Sequence, residues 1–302
     1  DRTRFGLCRP ERRLELARIF VVYDGGQKKI ARHQQYAAVK AALARVQEHE
    51  PDGSRCGGLV WHTQGSGKSL TMVMLAKALA LSPAIRNPRL ILVTDRVELD
   101  RQICDTFRYC GYEPLRARDG KELRELIEAK KAAVITTIIN KFERAVKGAS
   151  HLDEDENLFV MVDEGHRTNF GSFHALMRKA LPHACFIGFT GTPVVQDEKR
   201  NNLRVFGDFI HTYTLDHAVR DEAVVPLLYE GRHVEQDVDQ AQLDLWFERM
   251  MRGKTEQQKA DFKRKFATAD HLNRADKRLL MVAYDLCEHF TSTFAGTGAK
   301  GQ

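Results

Sequence analysis

The sequence lacks the long apolar segments that a membrane protein or a secretory leader needs. No stretch of about 18 uncharged apolar residues occurs, and residues 1–18 carry charges throughout instead of opening with an apolar region. We therefore expect neither a membrane span nor a signal peptide. The expectation is a soluble protein of the cytoplasm that has no membrane partner.

Closely spaced cysteine pairs are also missing. The chain has 6 cysteines, and none forms a C-x-x-C motif of the kind that binds zinc or carries redox chemistry. In a reducing compartment, scattered cysteines remain thiols. The sequence therefore predicts free thiols and no metal other than Mg²⁺.

Neither sign of charge is in strong excess. Lysine and arginine number 47 against 41 aspartates and glutamates, which gives a formal net charge of +6 and a pI near 9.0. This balance suits a partner made of phosphates, although an ordinary solvated surface has the same composition. With 302 residues, 43% of them hydrophobic, the chain has ample material for a core and for one large or two modest domains.

The middle of the chain alternates short apolar runs with amphipathic helical patterns. This alternation predicts an α/β fold with a mainly parallel β-sheet flanked by helices. The predicted strands are 59–61, 90–94, 133–137, 158–162, 185–190 and 224–229. The predicted helices between them are 70–81, 97–109, 121–129, 172–181 and 215–221.

The two ends of the chain show helical periods without strands. One helix is predicted over 32–47 and three more over 238–251, 255–268 and 273–294. We therefore expect a helical lead-in at 1–56, an α/β domain at 57–232 and an all-α extension at 233–302.

Residues 62–69 have the spacing of a phosphate-binding loop, or P-loop. The predicted strand 59–61 precedes them and the predicted helix 70–81 follows. The loop therefore lies at a helix N-terminus, where free N–H groups and the helix dipole favour anions. The strict pattern G-x-x-x-x-G-K-[ST] has glycine at the position that His62 occupies here.

Four residues of this loop carry the expected chemistry. Gly65 and Gly67 allow the backbone to close around a phosphate, Lys68 reaches the β- and γ-phosphates, and the hydroxyl of Ser69 can hold Mg²⁺. The expected ligand is ATP with Mg²⁺.

A second motif supplies carboxylates. The buried-strand pattern 158–162 ends directly before Asp163 and Glu164, about 95 residues after the P-loop. In Mg-ATP hydrolysis one carboxylate positions the metal and a neighbouring one orients and deprotonates the attacking water. These are the roles expected for Asp163 and Glu164. A third strand pattern, 185–190, ends at Thr190, and Thr192 follows in the turn. These two hydroxyls could relay the nucleotide state through hydrogen bonds.

Taken in order, these motifs resemble motifs I, II and III of superfamily 2 helicases and translocases. Within that superfamily, segments 62–69, 93–96, 136–138 with 141–142, and 162–167 closely resemble the motor (R) subunit of type I restriction-modification enzymes. The family's D-E-A-H sequence is D-E-G-H here, and the small change at Gly165 can loosen the loop. The resemblance covers nearly the whole chain and implies a RecA-like P-loop domain.

The resemblance also implies residue roles. It extends the nucleotide-binding set to Thr63, Gln64 and Ser66, and it implies that Gln35 reads the adenine edge through its amide. The neighbouring Gln34 leaves this register open.

Further implied roles concern DNA. Hydroxyls and basic groups at strand ends suit sequence-independent phosphate contacts, and the resemblance assigns them to Thr94, Asp95, Arg96, Thr136, Thr137 and Lys141. In the family His166 and Thr190 couple hydrolysis to DNA movement, and we place Thr192 with them.

For the complete protein, the resemblance implies ATP-driven translocation of double-stranded DNA, with cleavage by a separate nuclease domain. The expected partners are the methyltransferase (M) and specificity (S) subunits. The family's ATP lies between two RecA-like domains, and the strands of this chain suffice for one. We therefore expect a fragment that binds Mg-ATP but hydrolyses it slowly.

Two alternatives stay open at this point. The chain could be the motor of another superfamily 2 enzyme, of the type III restriction or repair kind. It could also be a nucleotide-regulated DNA-binding module that does not turn over ATP.

Overall fold

A computed structural model describes residues 9–131, 134–147, 151–163, 170–191, 206–225, 247–249, 251–259 and 276–293. The chain separates into two compact units, Asp1–Pro226 and Leu227–Gln302. Within the described ranges, no helix combines the length and the apolar character that crossing a membrane requires.

The first unit opens with a small helical and hairpin region. Its elements are α1 (Pro10–Glu15), a π-helical turn (Leu16–Phe20), β1 (Val21–Asp24), β2 (Gln27–Ile30) and α2 (His33–Arg45). β1 and β2 pair antiparallel, and both residues of the turn, Gly25 and Gly26, have positive φ. Two consecutive positive φ angles are the reason for glycine at both positions. The helix predicted over 32–47 is present as α2, whereas the hairpin is absent from our predictions.

A sheet of seven parallel strands follows. The strands are β3 (Gly58–His62), β4 (Arg89–Thr94), β5 (Leu115–Arg116), β6 (Val134–Ile138), β7 (Leu158–Asp163), β8 (Cys185–Thr190) and β9 (Phe209–Tyr213). Their order across the sheet is β5-β6-β4-β7-β8-β3-β9, and every pairing is parallel. All carboxyl ends therefore meet at one edge, which is where ligands bind in open α/β sheets.

Helices cover both faces of this sheet. They are α3 (Lys68–Leu81), α4 (Val97–Tyr109), α5 (Gly120–Ala129), α6 (Ile139–Val146), α7 (Phe170–Ala180) and α8 (Leu215–Arg220). Successive side chains of a strand point to opposite faces, and β4 shows the result. Leu90 and Leu92 enter the core cluster that contains α2, α3 and α4, while Ile91 and Val93 enter the cluster that contains α5, α6 and α7. This confirms the predicted α/β class with a mainly parallel, helix-flanked sheet.

Three strand predictions need correction. Neither edge strand was predicted: β5 has only two residues, and β9 has a half-exposed side-chain pattern, which explains its weak apolar signal. A strand was predicted over 224–229, but residues 224 and 225 are not in a strand. Residues 226–229 lie outside the described part of the chain.

The second unit contains α9 (Asp276–Thr293). This confirms the helical character predicted for the C-terminal portion. Most of the other predicted helices, 238–251 and 255–268, fall on residues that the structure does not describe.

Candidate nucleotide-binding site

The P-loop connects β3 to α3 through a backbone that requires glycine. Gly65 has φ +81° and Gly67 has φ +89°, and Gly67 is the left-handed N-cap of α3. A Cβ on Gly67 would lie 2.6 Å from Nε2 of Gln35, so the end of this side chain would have to move. The loop thus depends on glycine for its dihedral angle, and a larger residue would also displace the Gln35 amide.

Helix α2 supports the loop from one side with two buried amides. Gln34 Nε2 donates to the carbonyl of Ser66 at 3.3 Å, and Gln35 Nε2 donates to the carbonyl of Gly67 at 3.0 Å. Oε1 of Gln35 accepts from the N–H of Arg32 at 2.9 Å. Both amides therefore hold the loop here, and adenine recognition by Gln35 stays a prediction.

Strand β9 supports the start of the loop. The N–H of Thr63 donates to the carbonyl of Tyr213 at 2.9 Å, and His62 Nε2 lies 2.9 Å from His211 Nδ1. Burial lowers the pKa of His62 to about 3, and the nearby His211 and Lys68 act in the same direction. Burial likewise lowers the pKa of His211. Both rings are therefore neutral near pH 7.

The opposite side of the loop opens on a cavity of about 790 Å³. The walls come from the P-loop, from the carboxyl ends of β4, β7 and β8, from α4 and from the β1–β2 hairpin. Lys68, Ser69 and Asp163, which belong to separate sequence motifs, all line it, and so does Gly191. Gln64 and Gly65 complete its P-loop wall.

The residues present fit a magnesium nucleotide. The free N–H groups at the start of α3 and the cation of Lys68 suit phosphate oxygens, and the hydroxyl of Ser66 is buried with no hydrogen-bond partner among the described residues. Lys68 Nζ donates to the carbonyl of His62 at 3.5 Å, a long bond that a phosphate can replace. Ser69 and Asp163 offer the oxygen ligands that Mg²⁺ prefers.

Four further residues line the same cavity. Asp95 and Arg96, predicted as DNA contacts, form an ion pair at 3.4 Å there. Asp24 and Lys29, an ion pair within the hairpin, reach it from β1 and β2. Sequence reasoning missed the hairpin residues, although the Asp-Gly-Gly sequence of its turn was an available signal.

The other residues predicted to contact DNA are largely enclosed. The side chains of Thr94, Thr136 and Thr137 are fully buried. Lys141 Nζ donates to the carbonyl of Ala117 at 2.9 Å. In this conformation these groups support strand ends and loops, and their contact with DNA stays a prediction.

The remaining predicted residues divide between described and undescribed positions. Thr190 ends β8, where it is buried and pairs with Trp61 of β3. Glu164, His166 and Thr192 lie outside the described residues.

A parallel sheet with a P-loop after one strand and an acidic residue at the end of another defines a P-loop nucleotide-binding protein. A family model described as SWI2/SNF2 ATPase matches residues 34–260. The chain belongs to this ATPase family.

Relatives agree with the motif resemblance. The chain is 35% identical over 293 residues to the putative type I restriction enzyme MjaIXP endonuclease subunit of Methanocaldococcus jannaschii, covering 94% of this chain and 28% of that protein. It is 36% identical over 250 residues to the type I restriction enzyme HindI endonuclease subunit of Haemophilus influenzae, covering 74% and 24%. The resemblance to type I restriction enzyme subunits is confirmed. The chain spans about a quarter of the length of these curated relatives.

Among solved structures, the UvsW helicase from Bacteriophage T4 is similar, with a TM-score of 0.47 and 15% identity. The match covers 65% of this chain and 64% of that chain.

Proposed function

We propose that this chain is the ATP-hydrolysing motor domain of a type I restriction enzyme endonuclease subunit. In the complete protein, it would drive ATP-dependent translocation of double-stranded DNA, and a separate nuclease domain would cleave the DNA. The observation that carries the proposal is the meeting of Lys68, Ser69 and Asp163 in one cavity at the carboxyl edge of the sheet. The SWI2/SNF2 match and the named relatives support it.

The residue roles follow from chemistry. Lys68 neutralises phosphate charge, and the P-loop N–H groups bind phosphate oxygens. Ser69 and Asp163 would hold Mg²⁺ through oxygen, and the bound ion would offset phosphate charge. Glu164 follows Asp163 in the chain, and we propose that it orients and deprotonates the attacking water.

Coupling and DNA contact belong to the loops at the same edge. We assign coupling to His166, Thr190 and Thr192. Arg96, whose side chain is 60% exposed, has the charge and access for a DNA phosphate, whereas the buried threonines of β4 and β6 would need their strand ends to open first. The M and S subunits are the proposed partners, and the cytoplasm is the proposed location.

Nucleotide binding by this chain is tested with Lys68→Ala. We expect Mg-ATP affinity, measured by calorimetry, to fall about 100-fold because the charge that faces the phosphates is lost. The melting temperature should stay the same, since this side chain is partly exposed. Lys121→Ala, on an 86% exposed side chain of α5, is the matched control and should bind normally. Equal affinity for both variants would remove Lys68 from the site.

Turnover is tested in the full-length subunit with its M and S partners and unmodified DNA. Glu164→Gln should abolish DNA-stimulated ATP hydrolysis while Mg-ATP binding remains. Unchanged hydrolysis would contradict the role of Glu164. If the unaltered complex shows no DNA-stimulated hydrolysis, the chain is a nucleotide-regulated binding module instead.

A further inference from the structure

A pair of histidines, one buried and one half-buried, joins the P-loop strand to the edge strand of the sheet. His62 ends β3 and His211 lies in β9, and their ring centroids are 5.0 Å apart with an angle of 66° between the ring planes. His62 is fully buried. The functional roles proposed above use neither side chain, although His62 directly precedes the phosphate-binding turn.

The hydrogen bond between them has a preferred direction. Nε2 of His62 and Nδ1 of His211 are 2.9 Å apart, so one nitrogen must carry the proton and the other must accept it. The second nitrogen of His62, Nδ1, is buried and has no partner in the part of the chain that the structure describes. A buried N–H without an acceptor is more costly than a buried lone pair without a donor. The proton of His62 therefore belongs on Nε2.

We propose that His211 is a positioning residue for the P-loop, which acts by accepting a hydrogen bond from Nε2–H of His62. This inference rests on the proposed nucleotide site and names a residue that sets its geometry.

Two contacts carry the effect from β9 to the phosphate-binding residues. The carbonyl of His62 accepts from Lys68 Nζ at 3.5 Å, and the N–H of Thr63 donates to the carbonyl of Tyr213 at 2.9 Å. β9 thus holds the residue before the turn by its side chain and the next residue by its backbone. Without the histidine bond, β9 holds this peptide by its backbone contact alone, and the carbonyl that positions Lys68 is held less firmly.

The variants His211→Leu and His211→Asn separate the hydrogen bond from the packing. Asparagine places an acceptor oxygen near the position of Nδ1, while leucine fills the space without an acceptor. Thr212→Ala, at an exposed position on the same strand, is the matched control. We expect the Kd for ADP with Mg²⁺ to rise about tenfold in His211→Leu and to stay within about threefold of the unaltered chain in His211→Asn and Thr212→Ala.

Binding that is equal in all variants would overturn the proposal, and so would equal losses in His211→Leu and His211→Asn when both melt like the unaltered chain. If His211→Leu fails to fold, His211→Asn is compared with the Thr212→Ala control instead. Weaker ADP binding in His211→Asn but not in Thr212→Ala would contradict the acceptor role of His211.

Nitrogen NMR of the histidine rings gives a readout that does not depend on binding. The unaltered chain should show His62 protonated on Nε2 and not on Nδ1, and this signal should change in His211→Leu. A proton on Nδ1 of His62 would overturn the proposal. If the unaltered chain fails to bind ADP or ATP, the proposed function fails, while the ring spectrum still tests the histidine bond separately.

Discussion

The two sides of the P-loop differ in how deeply they are buried and in what they adjoin. On the side of α2 and β9, buried groups reach the loop through hydrogen bonds of 2.9 to 3.3 Å. On the cavity side, Lys68, Ser69 and Asp163 are only partly buried and line the cavity. The first side is built as support and the second is left open for a ligand. Preorganised support of this kind reduces the ordering that binding would otherwise require.

More contacts extend the supporting side. Asp221 Oδ2 lies 3.0 Å from His33 Nε2 and accepts from the hydroxyl of Tyr213 at 3.0 Å. Val224 lies near Gly65, where an added Cβ would approach it to 3.2 Å. The segment after α8 therefore belongs to the support of the loop.

Among the variants considered, Gly67→Ala should have the largest effect on the P-loop, because its new methyl group points toward the supporting helix α2. It would meet the Gln35 amide at 2.6 Å and force an alanine to φ +89°. We expect a loss of about 1–3 kcal/mol in the free energy of unfolding and at least a ~100-fold loss of Mg-ATP affinity. Denaturant unfolding and calorimetry measure the two effects.

Gly111→Ala is its control, since Gly111 has φ +88° and nothing within 4 Å of an added Cβ. This variant should show the backbone cost alone and bind nucleotide normally. Equal binding losses in the two variants would mean that contact with Gln35 is irrelevant.

The next largest effect concerns how the free energy of unfolding depends on pH. An unfolded histidine takes up a proton near its ordinary value of 6.5, whereas burial lowers the pKa of folded His62 to about 3. Protons therefore favour the unfolded chain between these values, and stability falls as the pH drops through that window. The free energy of unfolding should fall by about 1.4 kcal/mol for each pH unit in this window. At pH 5 the loss due to His62 is therefore about 2 kcal/mol.

His62→Gln removes this titration and keeps a donor near the position of Nε2. Urea unfolding between pH 7 and pH 5 should show a smaller slope for the variant, with the remainder carried in part by His211. Identical slopes would show that His62 titrates normally in the folded chain.

Gln34→Ala should have the smallest effect, because it removes one neutral hydrogen bond at 3.3 Å from the supporting side. We expect a loss of about 1 kcal/mol in unfolding free energy and a change in Mg-ATP affinity of less than about tenfold. Lys40→Ala, on the exposed face of the same helix, is the comparison variant. If Gln34→Ala lost more Mg-ATP affinity than Gly67→Ala, the order of effects proposed here would be wrong.

Much of the fold was predictable because its elements have strong local patterns. Helix α4 was predicted with its observed bounds, Val97–Tyr109, since its apolar residues recur on one face. The buried strands β7 and β8 are apolar runs apart from their last residues, Asp163 and Thr190. The edge strand β9 has neither signal, and it is defined by its pairing with β3.

The candidate site was likewise predictable where its residues are close together in the sequence. Residues 65–69 are adjacent in sequence, so their spacing alone indicates a phosphate loop. The supporting side depends on residues that meet only in the folded chain. Gln34 precedes Ser66 by 32 positions, and His62 precedes His211 by 149. No local pattern reports a contact of that kind.

The position of β3 in the sheet also determines when the nucleotide site can form during synthesis. Its two neighbours are β8 and β9, so the ribosome releases β3 long before either partner strand exists. Parallel pairings between distant segments close slowly, and domains form as their segments emerge. Until β8 has left the ribosome, β3 has no partner strand, and the apolar helix after the P-loop lacks this part of the sheet to pack against. The newly made chain therefore gains its ability to bind nucleotide late, when the last edge of the sheet closes.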